Sequence, residues 1–320
     1  MNRKKNICVV SFITVCVLLV SYFKLFMLIV LHQIKTANVL TVFHEEHTPN
    51  RNICAKLMNK NKHVYSCHGE VPSIFGIETL NVFSGFAVKF SKKEYDDQMH
   101  TLDLFMLYCE HHSITVMLYY GSLLGAYRNF RTEPWDDDID VLVLLEDQEK
   151  LKKISNAYSG HTLTISEENY LWKFHKIYNR TMLGLELNPV WPFIDIFFFS
   201  FVDNRLMVLG NKDNSAPVSY NDVFPLDYIL FDTMVLPVPN DAGKCLKQTY
   251  GDLVEFNICQ TNPWDHKHRR WTGKVSMKPC KSLAAIFPFV YRTLMPNGDV
   301  VEELRVGNWT HLTLTRRNKT

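Results

Sequence analysis

Three aspartates in this 320-residue chain stand where carboxylates are costly. In "PWDDDIDV", Asp138 and Asp140 alternate with Ile139 and Val141, and the apolar run continues through Leu142 and Val143, which predicts a buried strand. Alternate residues of a strand share a face, so Asp138 and Asp140 project together while Ile139 and Val141 turn to the opposite side. Two carboxylates a few ångströms apart repel, and burial makes their ionisation harder still. Asp195, in "WPFIDIFFFSF", is a third acid set among aromatic and branched aliphatic residues. A buried acid needs a partner, and a neighbouring strand would bring Asp195 to the other two. A divalent cation that favours hard oxygens, Mg²⁺ or Mn²⁺, would resolve all three. Asp136 and Asp137 need be no more than an acidic turn before the strand.

Upstream, "YYGSLLGAY" reads as strand, Gly-Ser turn and helix. Backbone N–H groups and a hydroxyl at such a turn can receive a phosphate through Gly121 and Ser122; the plainer alternative is that Ser122 caps the helix. A strand, a Gly-Ser turn, a helix, a D-x-D strand and a third acid on a later strand together describe a nucleotidyltransferase-type site. In such a site metal ions hold phosphate oxygens and polarise the phosphorus being transferred.

"GSLLGAYRNFRTEPWDDDIDV" resembles the signature of the LicD/fukutin family of phosphotransferases. The likeness continues in matching order through "WKFHKIYNRT", "WPFIDIFFF", "NDVFPLDYILFDTMVLPVPND" and "LKQTYGD", over residues 118–252. The resemblance implies a nucleotidyltransferase-like fold and transfer of a phospho-alcohol, such as phosphocholine or ribitol phosphate, from a CDP-linked donor to a glycan. It implies Asp138, Asp140 and Asp195 as catalytic metal ligands, with Gly121 and Ser122 at the phosphates. The "NFRT" before "EPWDDD" departs from the short glycine-containing turn of bacterial members, which leaves the loop conformation and the acceptor open.

Arg128, about one turn or so past Ser122, is a candidate for the diphosphate or else a solvated surface arginine. Lys173 is a substrate-binding candidate; Lys176 is offset from it by an odd number, so one strand cannot aim both inward. His175 shares a face with Lys173 and is assigned no role. Tyr250-Gly251-Asp252 reads as a structural helix end. His266 and His268 with Cys259 and Cys280 fit no common zinc spacing, so surface histidines and disulfides are expected there.

The elements that must position these residues are mixed. Asp96 and Asp97 open a helical pattern carrying Met99, Leu102, Phe105, Met106 and Cys109 on one face. Strand candidates are 114–120, 138–145, "HTLTI", "LWKFHKIY" and "WPFIDIFFFSF", with helices after Gly121, from Glu146 to Tyr158 and from Asp241 to Tyr250. Without a regular βαβ alternation, the expected class is α+β (α/β-like), a nucleotidyltransferase-type mixed sheet flanked by helices and preceded by an N-terminal transmembrane helix. The stretch after Asn262 is basic and aromatic, and its pattern assigns no element.

Lys+Arg 35 against Asp+Glu 33 leaves no bulk charge to attract nucleic acid. A 47% hydrophobic content, 13% of all residues being aromatic, excludes disorder as the dominant state. Arg3, Lys4 and Lys5 precede a run from Ile7 to Leu31 that is nearly all apolar apart from Lys24, longer than the roughly 20 residues that span a bilayer. A cleaved signal peptide is the rival reading, but a typical apolar core is shorter and ends in small residues. With the basic flank held in the cytosol, the remainder would cross. The expected plan is a cytosolic tail (1–6), a signal anchor (7–31), a lumenal stem or accessory segment (32–95) and a LicD-like catalytic domain (96–320), in a single-pass type II protein of the Golgi or endoplasmic reticulum membrane. Asn179, Asn308 and Asn318 begin glycosylation sequons. Six cysteines lie outside the anchor, an even set suited to an oxidising lumen, with Cys54–Cys67 the expected pair. Expected partners are a CDP-activated alcohol, a glycan or glycoprotein/glycolipid acceptor and the membrane, with no nucleic acid. Two rivals share these features: a D-x-D Golgi glycosyltransferase, and a family member that binds glycan or a partner without catalysis.

Overall fold

The computed structural model describes residues 51–60, 64–75, 85–166, 170–177, 190–210, 217–251 and 258–317. Its architecture is mixed α+β. One sheet runs in the order β2 (Val116–Leu118), β3 (Ile139–Leu144), β6 (Phe193–Val202), β5 (Leu171–Lys176), β4 (His161–Ile165), with β7 (Arg205–Val208) added to the far part of β6. β3 and β6 are parallel and every other pair is antiparallel. β3 is central and covered on both faces: Ile139, Val141, Leu142 and Val143 are all fully buried. That explains a near-continuous apolar strand rather than an alternating one.

Two helices cover this sheet. α2 (Lys92–His111) starts one turn earlier than the acidic residues suggested, because Ser91 and Glu94 form a reciprocal capping box. It buries Tyr95, Leu102, Phe105 and Cys109. α3 (Tyr120–Asn129) leaves β2 through Tyr119 and packs its first turn on β3. The helix expected over Glu146–Tyr158 is instead a run of short turns, 3-10 over Leu145–Asp147, α over Gln148–Leu151 and 3-10 over Lys152–Asn156. Leu151 and Ile154, three residues apart, are its fully buried anchors, a spacing that a 3-10 turn stacks directly.

The second sheet is antiparallel, in the order β1 (Val64–Gly69), β16 (Trp309–Arg317), β15 (Val300–Val306), β14 (Phe289–Leu294). A disulfide joins Cys67 of β1 to Cys54 of α1 (Arg51–Lys60), the expected pair. Within the segment read as a stem or accessory segment, β1 is an edge strand of the last sheet, and Leu57 and Tyr65 share a core with Phe130, Leu230, Val290, Leu304, Leu312 and Leu314. β8 (Asp227–Phe231) and β9 (Met234–Val238) form a hairpin, followed by α4 (Ala242–Tyr250). Two small ribbons follow, β10 (Cys259–Gln260) with β13 (Met277–Lys278), and β11 (Trp264–Asp265) with β12 (Arg270–Trp271). A second disulfide, Cys259–Cys280, closes them, which disposes of a zinc cluster at those cysteines.

The expected anchor (7–31), and the sequons at Asn179 and Asn318, lie outside the described residues. Among the described residues no helix is long and apolar enough to cross a membrane. Asn308 is exposed in the turn between β15 and β16.

Gly125 lies where α3 meets the loop leading to the aspartates. A Cβ there would stand 2.5 Å from the Arg131 carbonyl oxygen and 2.8 Å from the Glu133 nitrogen, both backbone atoms that cannot swing away. We expect Gly125→Ala to destabilise the fold by about 1–3 kcal/mol, read as a lower urea midpoint.

Candidate active site

Strand register assembles the acids. Asp140 of β3 is directly opposite Asp195 of β6, and Asp195 is opposite Lys173 of β5, so three side chains line up across three adjacent strands. Asp138 lies just before β3, two residues from Asp140, and returns to the same face. Carboxylate oxygens of Asp138, Asp140 and Asp195 lie within 4.8 Å of one another, a spacing and donor set suited to a hard cation. The Lys173 ammonium pairs with Asp195 Oδ1 and stands 3.5 Å from the centre of the Phe193 ring. Lys176, on the other face, pairs with Asp97.

The turn before α3 is fixed to the same strand. Ser122 is buried and its hydroxyl accepts a 2.8 Å hydrogen bond from the Asp140 backbone N–H. Ser122 therefore does not cap α3, whose cap residue is Tyr119; its hydroxyl braces the strand that carries Asp140. Gly121 faces the acids without a side chain: a Cβ would lie 2.7 Å from Asp136 Oδ2 and 3.6 Å from Asp140 Oδ2.

Gly121, Asp138, Asp140 and Asp195 line a cavity of about 540 Å³, with Tyr120, Tyr250, Gln260 and His266 on its wall, while Ser122 and Lys173 stand behind that lining. Asp136, read from sequence as part of a turn, also lines it. Arg128 reaches the cavity from within the protein rather than from the surface. It is 1% exposed, bonds Glu133 at 3.1 Å and donates to the Ile258 carbonyl at 3.3 Å. Tyr250 is part of the wall as well as a helix end, and burial, with Asp140 and Asp136 nearby, raises its phenol well above the usual range.

His266 is not the surface histidine expected. Its backbone N–H donates to Asp137 Oδ2 at 3.0 Å, its Nδ1 lies 2.8 Å from Asp137 Oδ1, and its Nε2 lies 3.1 Å from Asp138 Oδ2. Asp137 is buried and holds this ring, while its carbonyl accepts from Trp191 Nε1 at 2.7 Å. Nothing in the local sequence links positions 137 and 266; the one available signal was an acidic run longer than a D-x-D requires.

Five carboxylates thus crowd two cationic side chains. Burial is the main force raising Asp136, Asp138, Asp140 and Asp195, and mutual repulsion adds to it at Asp136 and Asp140. Asp138 is pushed up to about 6, with the His266 charge opposing the rise. Lys173 opposes it at Asp195. Burial acts against protonation of His266, yet its hydrogen bond to Asp137 and the Asp138 charge raise it. Asp138, Asp140 and Asp195 fit a divalent ion on donor chemistry and spacing.

Residues 113–241 match the family described as LicD/FKTN/FKRP, nucleotidyltransferase domain. The class is thus one of nucleotidyltransferase-type domains. Human ribitol 5-phosphate transferase FKRP is 27% identical over 152 residues, covering 45% of this chain and 29% of that protein. Lipopolysaccharide cholinephosphotransferase LicD of Haemophilus influenzae is 28% identical over 118 residues, covering 35% of this chain and 44% of that protein. Residues 113–241 are thus similar to the LicD/fukutin family, and the chain spans less than half the length of either relative. A crystal structure of ANT(2")-Ia in complex with adenylyl-2"-tobramycin aligns at 11% identity with a TM-score of 0.32, covering 45% of this chain and 69% of that one; so low a score carries no argument.

Gly121→Ala should leave the fold nearly intact, because the atom it meets is the movable end of Asp136, while disturbing the carboxylates. The expected result is at least roughly tenfold weaker Mn²⁺ binding by calorimetry, with a thermal midpoint close to that of the wild type. Ser122→Ala strands the Asp140 N–H and should cost about 1–3 kcal/mol, measured by chemical unfolding.

Proposed function

We propose that this protein transfers a phospho-alcohol, of the phosphocholine or ribitol-phosphate kind, from a CDP-linked donor to a glycan acceptor. The observation that carries the reading is the register of Asp140, Asp195 and Lys173 across β3, β6 and β5, with Asp138 completing a three-carboxylate set in the cavity. The two relatives, one named for transfer of ribitol 5-phosphate and the other for transfer of cholinephosphate, support the substrate class.

Asp138, Asp140 and Asp195 would hold Mg²⁺ or Mn²⁺, which when bound supplies charge neutralisation and Lewis acidity to the donor diphosphate. Gly121 leaves its side of the cavity open for a phosphate to approach the backbone at the start of α3. Lys173 and Arg128 line up cationic charge near the diphosphate, Lys173 beside Asp195 and Arg128 anchored through Glu133. In the reaction, an acceptor hydroxyl oxygen forms a bond to the phosphorus that carries the alcohol. The bond from that phosphorus to the CMP oxygen breaks, CMP leaves, and an aspartate of the cluster orients the hydroxyl or takes its proton. Water is kept from competing by the buried cavity floor formed by β3 and β6.

We also infer an uncleaved anchor at 7–31 and a lumenal body in the Golgi or endoplasmic reticulum. The exposed Asn308 sequon and the two disulfides accord with an oxidising, glycosylating compartment. In cells, treatment with an N-glycosidase should increase the mobility of the protein on gels, and Asn308→Gln should remove part of that shift. Unchanged mobility would count against a lumenal body.

The decisive assay incubates the protein and Mn²⁺ with a panel of CDP-alcohols and follows CMP release. Asp138→Asn, Asp140→Asn and Asp195→Asn should each lower turnover by at least about a thousandfold, while Asp203→Asn, a residue in the β6–β7 turn remote from the cluster, keeps it. Full turnover with an Asp138 or Asp140 variant, or turnover of a UDP- or GDP-sugar in place of every CDP-alcohol, would overturn the reading.

A further inference from the structure

The β11–β12 hairpin is joined to the catalytic carboxylates at one end and exposed at the other. Its loop is fastened to the body twice. His266 engages Asp137 and Asp138, and Lys267 bonds Glu94 at 2.8 Å and lies over the Trp191 ring. Inside the loop, Asp265 accepts from the His268 N–H at 3.0 Å and pairs with the His268 ring and with Arg270. Thr272 closes the base by donating its N–H and its hydroxyl to the Pro263 carbonyl, both at 2.7 Å. Pro263 itself lines the cavity. The Cys259–Cys280 disulfide holds the start and end of the whole segment together.

The residues that follow this fastening behave oppositely. Positions 268–275 are all exposed, and Trp271 is 67% exposed, although Trp264 opposite it in the ribbon is half-buried. Arg269, Arg270 and Lys274 surround the indole in sequence, and Asp265, the one acid between 264 and 281, is buried. An exposed indole among cations, on a hairpin held rigid from both ends, has the composition of a recognition surface rather than of an ordinary solvated turn. Tryptophan and arginine are the residues that dominate binding hot spots. The indole offers a flat apolar face, and the guanidinium groups offer paired donors to carboxylates, sulfates or phosphates.

We propose that this hairpin is the acceptor-docking arm of the site, taking an acidic oligosaccharide whose sugar ring packs on Trp271 and whose anionic groups pair with Arg269 and Arg270. The assignment rests on the glycan-acceptor reading above and adds to it the location and the charge of the acceptor. Continuity carries it: the chain that forms the cavity wall at Gln260, Thr261 and Pro263 runs on into the hairpin, and His266 returns from the hairpin to the cavity. An acceptor bound across Trp271 adjoins the rim at Pro263. A membrane surface is the less favoured occupant, because the exposed large apolar residues of the segment closed by Cys259–Cys280 are Trp271, Val275 and Met277, set among Arg269, Arg270 and Lys274 and too few for insertion.

The test titrates the full chain with tetragalacturonate and a heparin-derived tetrasaccharide, with maltotetraose as the uncharged counterpart, following tryptophan fluorescence and calorimetry. Binding of one or both acidic probes, with maltotetraose at least about tenfold weaker, is expected. Trp271→Ala and Arg269→Glu should each weaken the acidic probe by about tenfold or more while Mn²⁺ and CDP bind as in the wild type. Both substitutions are at exposed positions, and thermal melts check that each variant folds. Binding unchanged in both variants, equal binding of maltotetraose, or no binding of either acidic probe overturns the proposal. So does Trp271-dependent capture by phosphatidylserine vesicles without oligosaccharide binding. Loss of Mn²⁺ and CDP binding with the Trp271-dependent oligosaccharide binding intact would sink the phosphotransferase reading and leave the arm standing.

Discussion

The parallel pairing of β3 with β6 is the constraint on which the rest depends. It puts Asp140 beside Asp195 on the one sheet face that opens to a cavity, while Ile139, Val141, Ile194 and Ile196 are buried. The hydrophobic contribution of those neighbours, about 1.5–3 kcal/mol for each large aliphatic side chain, is what makes it possible to hold like charges together. Lys173 from β5 and His266 from the hairpin offset part of the repulsion. The remaining deficit is the physical signature of a place that receives positive charge.

Holding those acids in place requires the motif to be fixed from outside the sheet. Trp135 is buried edge-to-face against Phe86 and Phe287, which ties the start of the aspartate run to the C-terminal part of the chain. Trp191 bonds the Asp137 carbonyl, Ser122 takes the Asp140 N–H, and Arg128 couples Glu133 to the backbone at Ile258. The Trp135, Trp191 and Arg128–Ile258 contacts span elements far apart in the chain. The aspartate segment and the C-terminal ribbons therefore form one structure, and under the proposed function the hairpin that carries His266 is the part that would meet the acceptor.

Much of the fold was legible where a pattern had a local physical cause. Apolar runs marked β3 and β6, alternation separated Lys173 from Lys176, and the D-x-D with a distant isolated acid marked the three carboxylates that the structure brings together. The C-terminal sheet was missed although its signals are local. "WTHLTLTRR" alternates so that Leu312 and Leu314 turn inward, and Asn297-Gly298, with Gly298 at φ 83°, forms the hairpin turn before β15. The basic and aromatic composition of the region masked that alternation. β1 was not legible for a different reason: a six-residue strand is stable only when a partner strand supplies its hydrogen bonds, and that partner, β16, lies about 250 residues away.

By itself the sequence determined which side chains could do chemistry: strand periodicity forces Asp138 and Asp140 to one face, and Asp195 is intolerable in its apolar surroundings without a partner. Tertiary structure alone decided who the partners are. It made Ser122 a brace instead of a cap, turned Arg128 inward, gave Asp137 a histidine to hold, and moved His266 from an expected surface to the cavity wall. The physical reason is one of range. Periodicity and propensity act over a few residues and are written in the local sequence. Register, desolvation and the pairing of charges 129 positions apart, as between Asp137 and His266, exist only once the chain has packed.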